Sequence, residues 1–309
     1  MEGRELEQTC RRQRGVLSRS QALAAGVSPD AIRNRLRSGR WQRLAPGTYA
    51  TFSGEVRRPA LRWAAVLRAG PGAILTHRSA AEEIGLVHEE GGAVHVAIPA
   101  ERRVARVPGI VVHRSAHVVM RRHPTRMPPQ TRVDETVLDL AIGAPSLDDS
   151  MGWIARACGR RLTTPDRLAR ALRRRTRVCR RGELRQLLDD VVQGCHSVLE
   201  WSYLRDVERA HGLPEAARQW RSRRPGGSSY DDVRYADYGV RVELDGRAAH
   251  PEEVRWRDLR RDNLAIQEGD AVLRFGFADV SERPCDVASQ VATILRRNGW
   301  PGEDRPCGR

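Results

Sequence analysis

The stretch YDDVRYADYGVRVELDG, residues 230–246, decides the reading of the C-terminal third of the chain. It divides into two strand-like segments, 230–235 and 239–244, folded about a turn. Asp232 falls on the first, and Glu243 and Asp245 fall at the end of the second, in Val-Glu-Leu-Asp-Gly. Side chains two apart on a strand share a face, so Glu243 and Asp245 point the same way. A hairpin brings Asp232 alongside. Three carboxylates converging at strand ends form an oxygen-ligand site suited to Mg²⁺ or Mn²⁺, which keeps several waters and binds phosphate oxygens. Such an ion lowers the pKa of its bound water and offsets charge building on a phosphorus. Asp231 stands beside Asp232 and faces the other way in a regular strand, so one of the two is a decoy.

Working outward, 197–211 reads as a helix ended by Gly212, 217–220 as a short strand and 255–267 as a helix ended by Gly269. A strand over 271–275 and a helix over 284–297 follow. Helix, three strands, helix, strand (αβββαβ) is the core order of the restriction-endonuclease fold. The run SVLE at 197–200, the stretch 230–246, His250 and DLRRDNLAIQEGDAVLRF at 258–275 resemble a bacterial domain related to the very-short-patch-repair endonucleases of the PD-(D/E)XK superfamily. The resemblance implies catalytic roles for Asp232 and Glu243, with Asp245 a further metal ligand. It makes Glu200 the helix acid reaching the same ion, and His250 a proton shuttle. The third strand offers Glu-x-Asp where the wider superfamily has Glu-x-Lys, which leaves the general base open between His250 and a metal-bound hydroxide. Ser197-x-x-Glu200 is also a capping-box pattern, so Glu200 has a purely structural reading beside the catalytic one. Asp245-Gly246 has one too, as a turn.

At the other end of the chain, Ser28-Pro29-Asp30 carries an N-cap residue, a first-turn proline and a first-turn acid, and opens a helix running to Ser38. A helix over 20–25 precedes it, and a charged helix over 4–14 precedes that. Leu23, Val27, Ile32 and Leu36 form the inward stripe. Arg33, Asn34 and Arg37 lie on another face, where they would reach phosphates and base edges. Residues 41–44 and 48–50 then form a β-hairpin about Pro46-Gly47, with Arg43 on its first strand. Helix, turn, basic helix and hairpin is the winged helix-turn-helix plan, whose second helix enters the major groove. The segment GVLSRSQALAAGVSPDAIRNRLRSGRWQRLAPGTYA, residues 15–50, resembles the N-terminal domain of the abortive-infection type IV antitoxin family. Winged helices also serve as protein-binding modules, so DNA contact and protein binding both stand as readings.

Between the two ends the pattern is a small α/β unit. It has helices over 59–69, from Thr76 and over 134–141, and strands over 94–98 and 110–113. This order resembles the region following the winged helix in antitoxin-like proteins. His77, His95, His113, His117 and His123 lie here, without the i, i+4 pairing or cysteine partners of a zinc site, so their spacing argues against metal ligation. Residues 153–193 form a basic helical stretch broken at Thr164-Pro165. The expected organisation is a multidomain α/β protein: a winged helix over 1–55, an α/β middle domain over 56–150, a basic helical connector over 151–196 and a nuclease-like domain over 197–309.

All 54 basic residues are arginine, which excludes a catalytic lysine. The net charge of +15 is unevenly spread, with +8 on 1–150, +8 on 151–196 and −1 on 197–309. A field of this kind attracts a polyanion, because neutralising phosphates releases counterions. The six scattered cysteines suggest reduced thiols rather than a disulfide framework. With no run resembling a membrane span or a signal peptide, a cytoplasmic location is expected. Two functions are therefore compatible with the sequence. One is a Mg²⁺-dependent endonuclease acting on nucleic acid, most simply DNA, and targeted by the winged helix. The other is an antitoxin-like DNA-binding transcriptional regulator whose nuclease fold is not catalytic. A homodimer and a toxin–antitoxin partner are both compatible with either.

Overall fold

The computed structural model describes residues 2–89, 91–224, 227–245 and 270–306. His250, Gly246 and the helix expected over 255–267 lie outside the described residues. The chain divides into two compact units, 1–144 with 156–179 and 145–155 with 180–309.

The first unit begins with α1 (Glu2–Arg12), β1 (Val16–Ser18), α2 (Arg19–Ala24), α3 (Pro29–Arg37), β2 (Gln42–Ala45) and β3 (Thr48–Ala50). The three strands form one antiparallel sheet in the order β1-β3-β2. Ser18, at the end of β1, accepts from the Gln21 amide while the Gln21 side chain accepts from the Ser18 amide, a reciprocal cap that closes the start of α2. Ser28 accepts from the Ala31 amide at 3.1 Å and Pro29 sits in the first turn of α3, as their positions in the sequence require. Leu17, Ala22, Val27, Ile32, Trp41 and Tyr49 form the buried core, with Leu6, Cys10 and Leu36 packed against it. Leu23 corrects the expected stripe, because it is 39% exposed and Ala22 takes the inward position on α2.

The chain continues through α4 (Arg58–Ala69), β4 (Ile74–Leu75), α5 (His77–Glu83), β5 (Val94–Pro99), β6 (Ile110–Ser115), α6 (Val118–Arg121) and α7 (Val133–Ile142). Trp63 and Ala64 of α4 pack against Val16 and Leu44, joining the winged helix to this α/β layer. In the second sheet, β4 runs antiparallel and β6 parallel to the central β5. Arg62 is buried, and its guanidinium is satisfied by Glu82 (2.9 Å), Glu83 (2.6 Å) and Glu89 (2.8 Å). A buried cation is tolerated only with partners of this kind. The basic stretch then forms α9 (Pro165–Arg174) in this unit, while most of α8 (Leu147–Gly159) and all of α10 (Arg181–Val192) belong to the second unit. On α9, Leu168, Ala171 and Leu172 face inward, while Arg167, Arg170, Arg173 and Arg174 lie toward solvent.

In the second unit α11 (Val198–Ser202) continues into a π-helical segment, Tyr203–Arg209. Then come β7 (Ala217–Arg224), β8 (Gly227–Tyr235), β9 (Val240–Asp245) and β10 (Ala271–Gly276). The sheet order is β10-β9-β8-β7, with β7, β8 and β9 an antiparallel meander and β10 parallel to β9. A parallel neighbour demands a long crossover, which residues 246–270 supply in length. Val233, Tyr235, Val240, Val242 and Phe275 from the sheet pack against Tyr203 and Val207, and against Val287, Val291 and Leu295 of the helix Pro284–Arg297. A short helix, Phe277–Glu282, departs from the pattern expected of the sequence. No described helix is long and apolar enough to cross a membrane.

The burial pattern predicts that Ile32→Ala lowers the local stability of the winged helix by about 2–5 kcal/mol, the range for truncating a buried aliphatic side chain. Leu23→Ala is expected to change it by no more than about 0.5 kcal/mol. Hydrogen exchange followed by mass spectrometry on peptides spanning 16–50 measures both; equal effects would contradict the packing described.

Candidate functional site

Helix α3 presents Arg33, Asn34 and Arg37 to solvent while Ile32 anchors its other side at 1% exposure. Positions three and four apart adjoin on a helix, so the three polar side chains form one continuous face. Arg33 pairs with Asp30, and Arg37 donates to the Asn34 side-chain oxygen at 2.5 Å, which pre-orients two guanidinium groups on that face. Arg35 is used differently, lying over the Trp41 ring at 5.0 Å. Arg43 is exposed on β2, one strand of the wing, and the β2–β3 turn is made by Pro46 and by Gly47 at φ +75°. Only a residue without Cβ adopts that conformation cheaply.

In the second unit the paired acids separate. Asp231, at 1% exposure, faces Arg241 (3.7 Å) and Arg234 (3.4 Å), and both arginines also engage Asp270. It therefore belongs to a buried ion network. Asp232 instead accepts from the Leu244 amide at 2.9 Å, tying β8 to the end of β9 just beyond the last paired residues, Val233 and Val242. Glu200 is 7% exposed. It accepts from the His196 amide at 2.9 Å and from Gln219 at 3.3 Å, while Ser197 caps the Glu200 amide at 3.1 Å. Ser197 thus caps the helix, but the Glu200 carboxylate bonds the His196 amide rather than the Ser197 amide, so the reciprocal capping box is not formed. Burial, opposed by the His196 amide and reinforced by the charge of Asp232, holds the Glu200 carboxyl above the usual carboxylate range. Gln219, at φ +50°, falls opposite Asp232 between the paired positions Arg218–Val233 and Trp220–Asp231. A left-handed, non-glycine residue beside two carboxylates is a local strain of the kind that collects at functional sites.

Glu243 lies beside Arg274 in the β9–β10 register, and Arg274 also reaches Asp245 at 3.5 Å. Sequence reasoning missed Arg274, although Leu-Arg-Phe marks its strand. Its cation stands where two of the expected metal ligands lie. Asp232, Glu243 and Asp245 have the donor chemistry for Mg²⁺, but among the described residues their oxygens are not gathered. The set of three ligand atoms within 4.8 Å of one another is instead His77, His95 and His113. Here the structure differs from the expectation drawn from histidine spacing. His113 pairs with Ala97 across β5 and β6, which puts His95, two residues from Ala97, on the same face. Parallel register, unlike helical spacing, is not written in any local motif.

A family profile described as "Transcriptional regulator, AbiEi antitoxin" matches residues 4–51. That segment includes α2, α3 and both wing strands, so the N-terminal domain is similar to a winged helix of that family. No curated protein matches the chain. Among solved structures, the RV2827C protein from Mycobacterium tuberculosis is similar at 19% identity and a TM-score of 0.40, over 60% of this chain and 77% of that one.

Because burial raises the Glu200 pKa, the folded state holds its proton more tightly than the unfolded state. Stability from this group is present at low pH and lost as pH rises through the folded value. Glu200→Gln keeps an acceptor for the His196 amide and removes the buried charge. Its melting temperature at pH 8 should equal or exceed that of the wild type, with the margin narrowing toward pH 4. A variant melting well below wild type at pH 8 would show that the ionised carboxylate is needed for the fold.

Proposed function

We propose that the protein is an antitoxin-like DNA-binding transcriptional regulator that reads duplex DNA with helix α3 and its wing. The carrying observation is the exposed Arg33-Asn34-Arg37 face on the second helix of a helix-turn-helix, within the segment that matches the regulator family. Arginine forks match the guanine edge and asparagine matches adenine, while Arg43 on the wing would meet the backbone. The +8 charge of residues 1–150 supports the same reading, because phosphate neutralisation supplies the sequence-independent part of binding. Selection from a pool of random duplexes should enrich a defined sequence with the wild-type chain. Asn34→Ala should relax one position of that sequence, with a loss of discrimination of about 1–3 kcal/mol. Enrichment of nothing, or of the same sequence by Asn34→Ala and by an Arg33→Ala, Arg37→Ala double variant, would refute base reading by α3.

A second reading, a metal-dependent nuclease, is favoured by one observation: buried Glu200 accepts from Gln219, the strained residue that falls opposite Asp232. The strand order β10-β9-β8-β7 suits that reading as well. Against it, Asp245 is turned to Arg274, a cation that competes with a metal for the same carboxylate. Plasmid, single-stranded DNA and RNA incubated with Mg²⁺, Mn²⁺ or EDTA decide the matter. Under the regulator reading, wild type, Asp232→Ala and Glu243→Ala leave all three substrates intact. Metal-dependent cutting abolished by either substitution would establish the nuclease reading instead.

A further inference from the structure

We propose that His77, His95 and His113 form a site for a divalent first-row transition ion of the zinc class, with three imidazole ligands and an open fourth position. The three come from three elements: the first residue of α5, the second residue of β5 and the middle of β6. Their ligand nitrogens lie within 4.8 Å of one another. His95 Nδ1 and His113 Nε2 are 3.0 Å apart. Two nitrogens bound to one tetrahedral zinc at about 2.0–2.1 Å stand roughly 3.3 Å from each other, so this pair needs only a small adjustment.

The surroundings prepare the third ligand. The Thr76 hydroxyl donates its one proton to Asp139 at 2.9 Å and lies 3.2 Å from His77 Nδ1. Having donated, it is an acceptor toward the ring, which places the His77 proton on Nδ1 and leaves the Nε2 lone pair for an ion. A carboxylate acting through a hydroxyl to set the tautomer is the outer-shell arrangement of metal-bound histidine. Asp139 is itself held by Arg175 at 2.8 Å. His77 sits at φ +48°, a left-handed conformation uncommon outside glycine, though histidine adopts it more readily than most residues. Thr76, just before it, is held by its amide on the His95 carbonyl at 3.1 Å and by its hydroxyl on Asp139, rather than capping α5 as the sequence suggested. The His95 amide is fixed by Ser79 Oγ at 2.9 Å.

Imidazole nitrogen favours zinc, copper, nickel and cobalt over magnesium and calcium. Three protein ligands leave the fourth position to water or to an anionic group.

The test is titration of the full chain, stripped with a chelator, with Co²⁺ and Zn²⁺, with Mg²⁺ as control. One equivalent of Co²⁺ should give visible ligand-field bands without the thiolate charge-transfer band that the chain's cysteines would produce, and Zn²⁺ should displace it. His113→Gln and His77→Gln should weaken binding at least tenfold, while His117→Gln leaves it unchanged. Thr76→Val keeps every imidazole and should weaken binding about 10–100-fold, the usual cost of losing an outer-shell partner. Binding that is absent, carries a thiolate signature, or survives the His77 and His113 substitutions unchanged in chains that still melt cooperatively would overturn the site.

Discussion

The constraint on which the rest of the structure depends is the neutralisation of arginine. With 54 guanidinium groups and no lysine, the chain cannot relieve a buried cation by deprotonation, since arginine keeps its charge. Each arginine that enters the interior must bring carboxylates with it. Arg62 takes Glu82, Glu83 and Glu89; Arg175 takes Glu135 and Asp139; Arg218 takes Glu208; Arg241 takes Asp231 and Asp270. Removing one member of such a set leaves a charge uncompensated in low dielectric, which costs several kcal/mol. Acids committed in this way are architecture, and the distinction bears directly on function. Asp231 is committed and Asp232 is tied to the β9 backbone, so two adjacent acids have separate fates.

The same constraint explains the surface. Acids of the first unit are drawn inward to hold Arg62 and Arg175, while Arg33, Arg37, Arg43 and the outer side of α9 keep their charge in solvent. The +8 balance of residues 1–150 comes from an excess of arginine over acid, and the buried pairs leave part of that excess exposed. Under the proposed regulator reading, those exposed arginines are the reservoir of phosphate contacts on which the winged helix would draw. The C-terminal third, at a balance of −1, carries no such reservoir.

How far the sequence can be read follows from how local each cause is. The Ser28-Pro29 start of α3 and the Pro284–Arg297 helix are set by caps and breakers within a few residues, and both are legible. Strand β1 and the exposure of Leu23 are not, because three residues of sheet and one helix rotation are decided by packing against Tyr49 and Trp41. The choice between Asp231 and Asp232 depends on Arg241 and on Asp270, far along the chain. Thr76 reads as a helix cap, yet its hydroxyl goes to Asp139, a partner 63 positions away. The histidine cluster is invisible for a similar reason: it is assembled by parallel register, which leaves no periodic trace.

If the solvent-facing arginines of the winged helix meet phosphate, each contact must release counterions when DNA binds. The most direct measurement is the salt dependence of duplex DNA binding by the full chain, read as the slope of log K against log salt concentration. Arg43→Ala, on the wing, should lower the magnitude of the slope by about 0.9, the contribution of one phosphate contact. Arg296→Ala, at a surface pair with Asp304 in the second unit, should leave it unchanged. A slope identical in all three proteins, or one moved only by Arg296→Ala, would contradict phosphate contact by the wing.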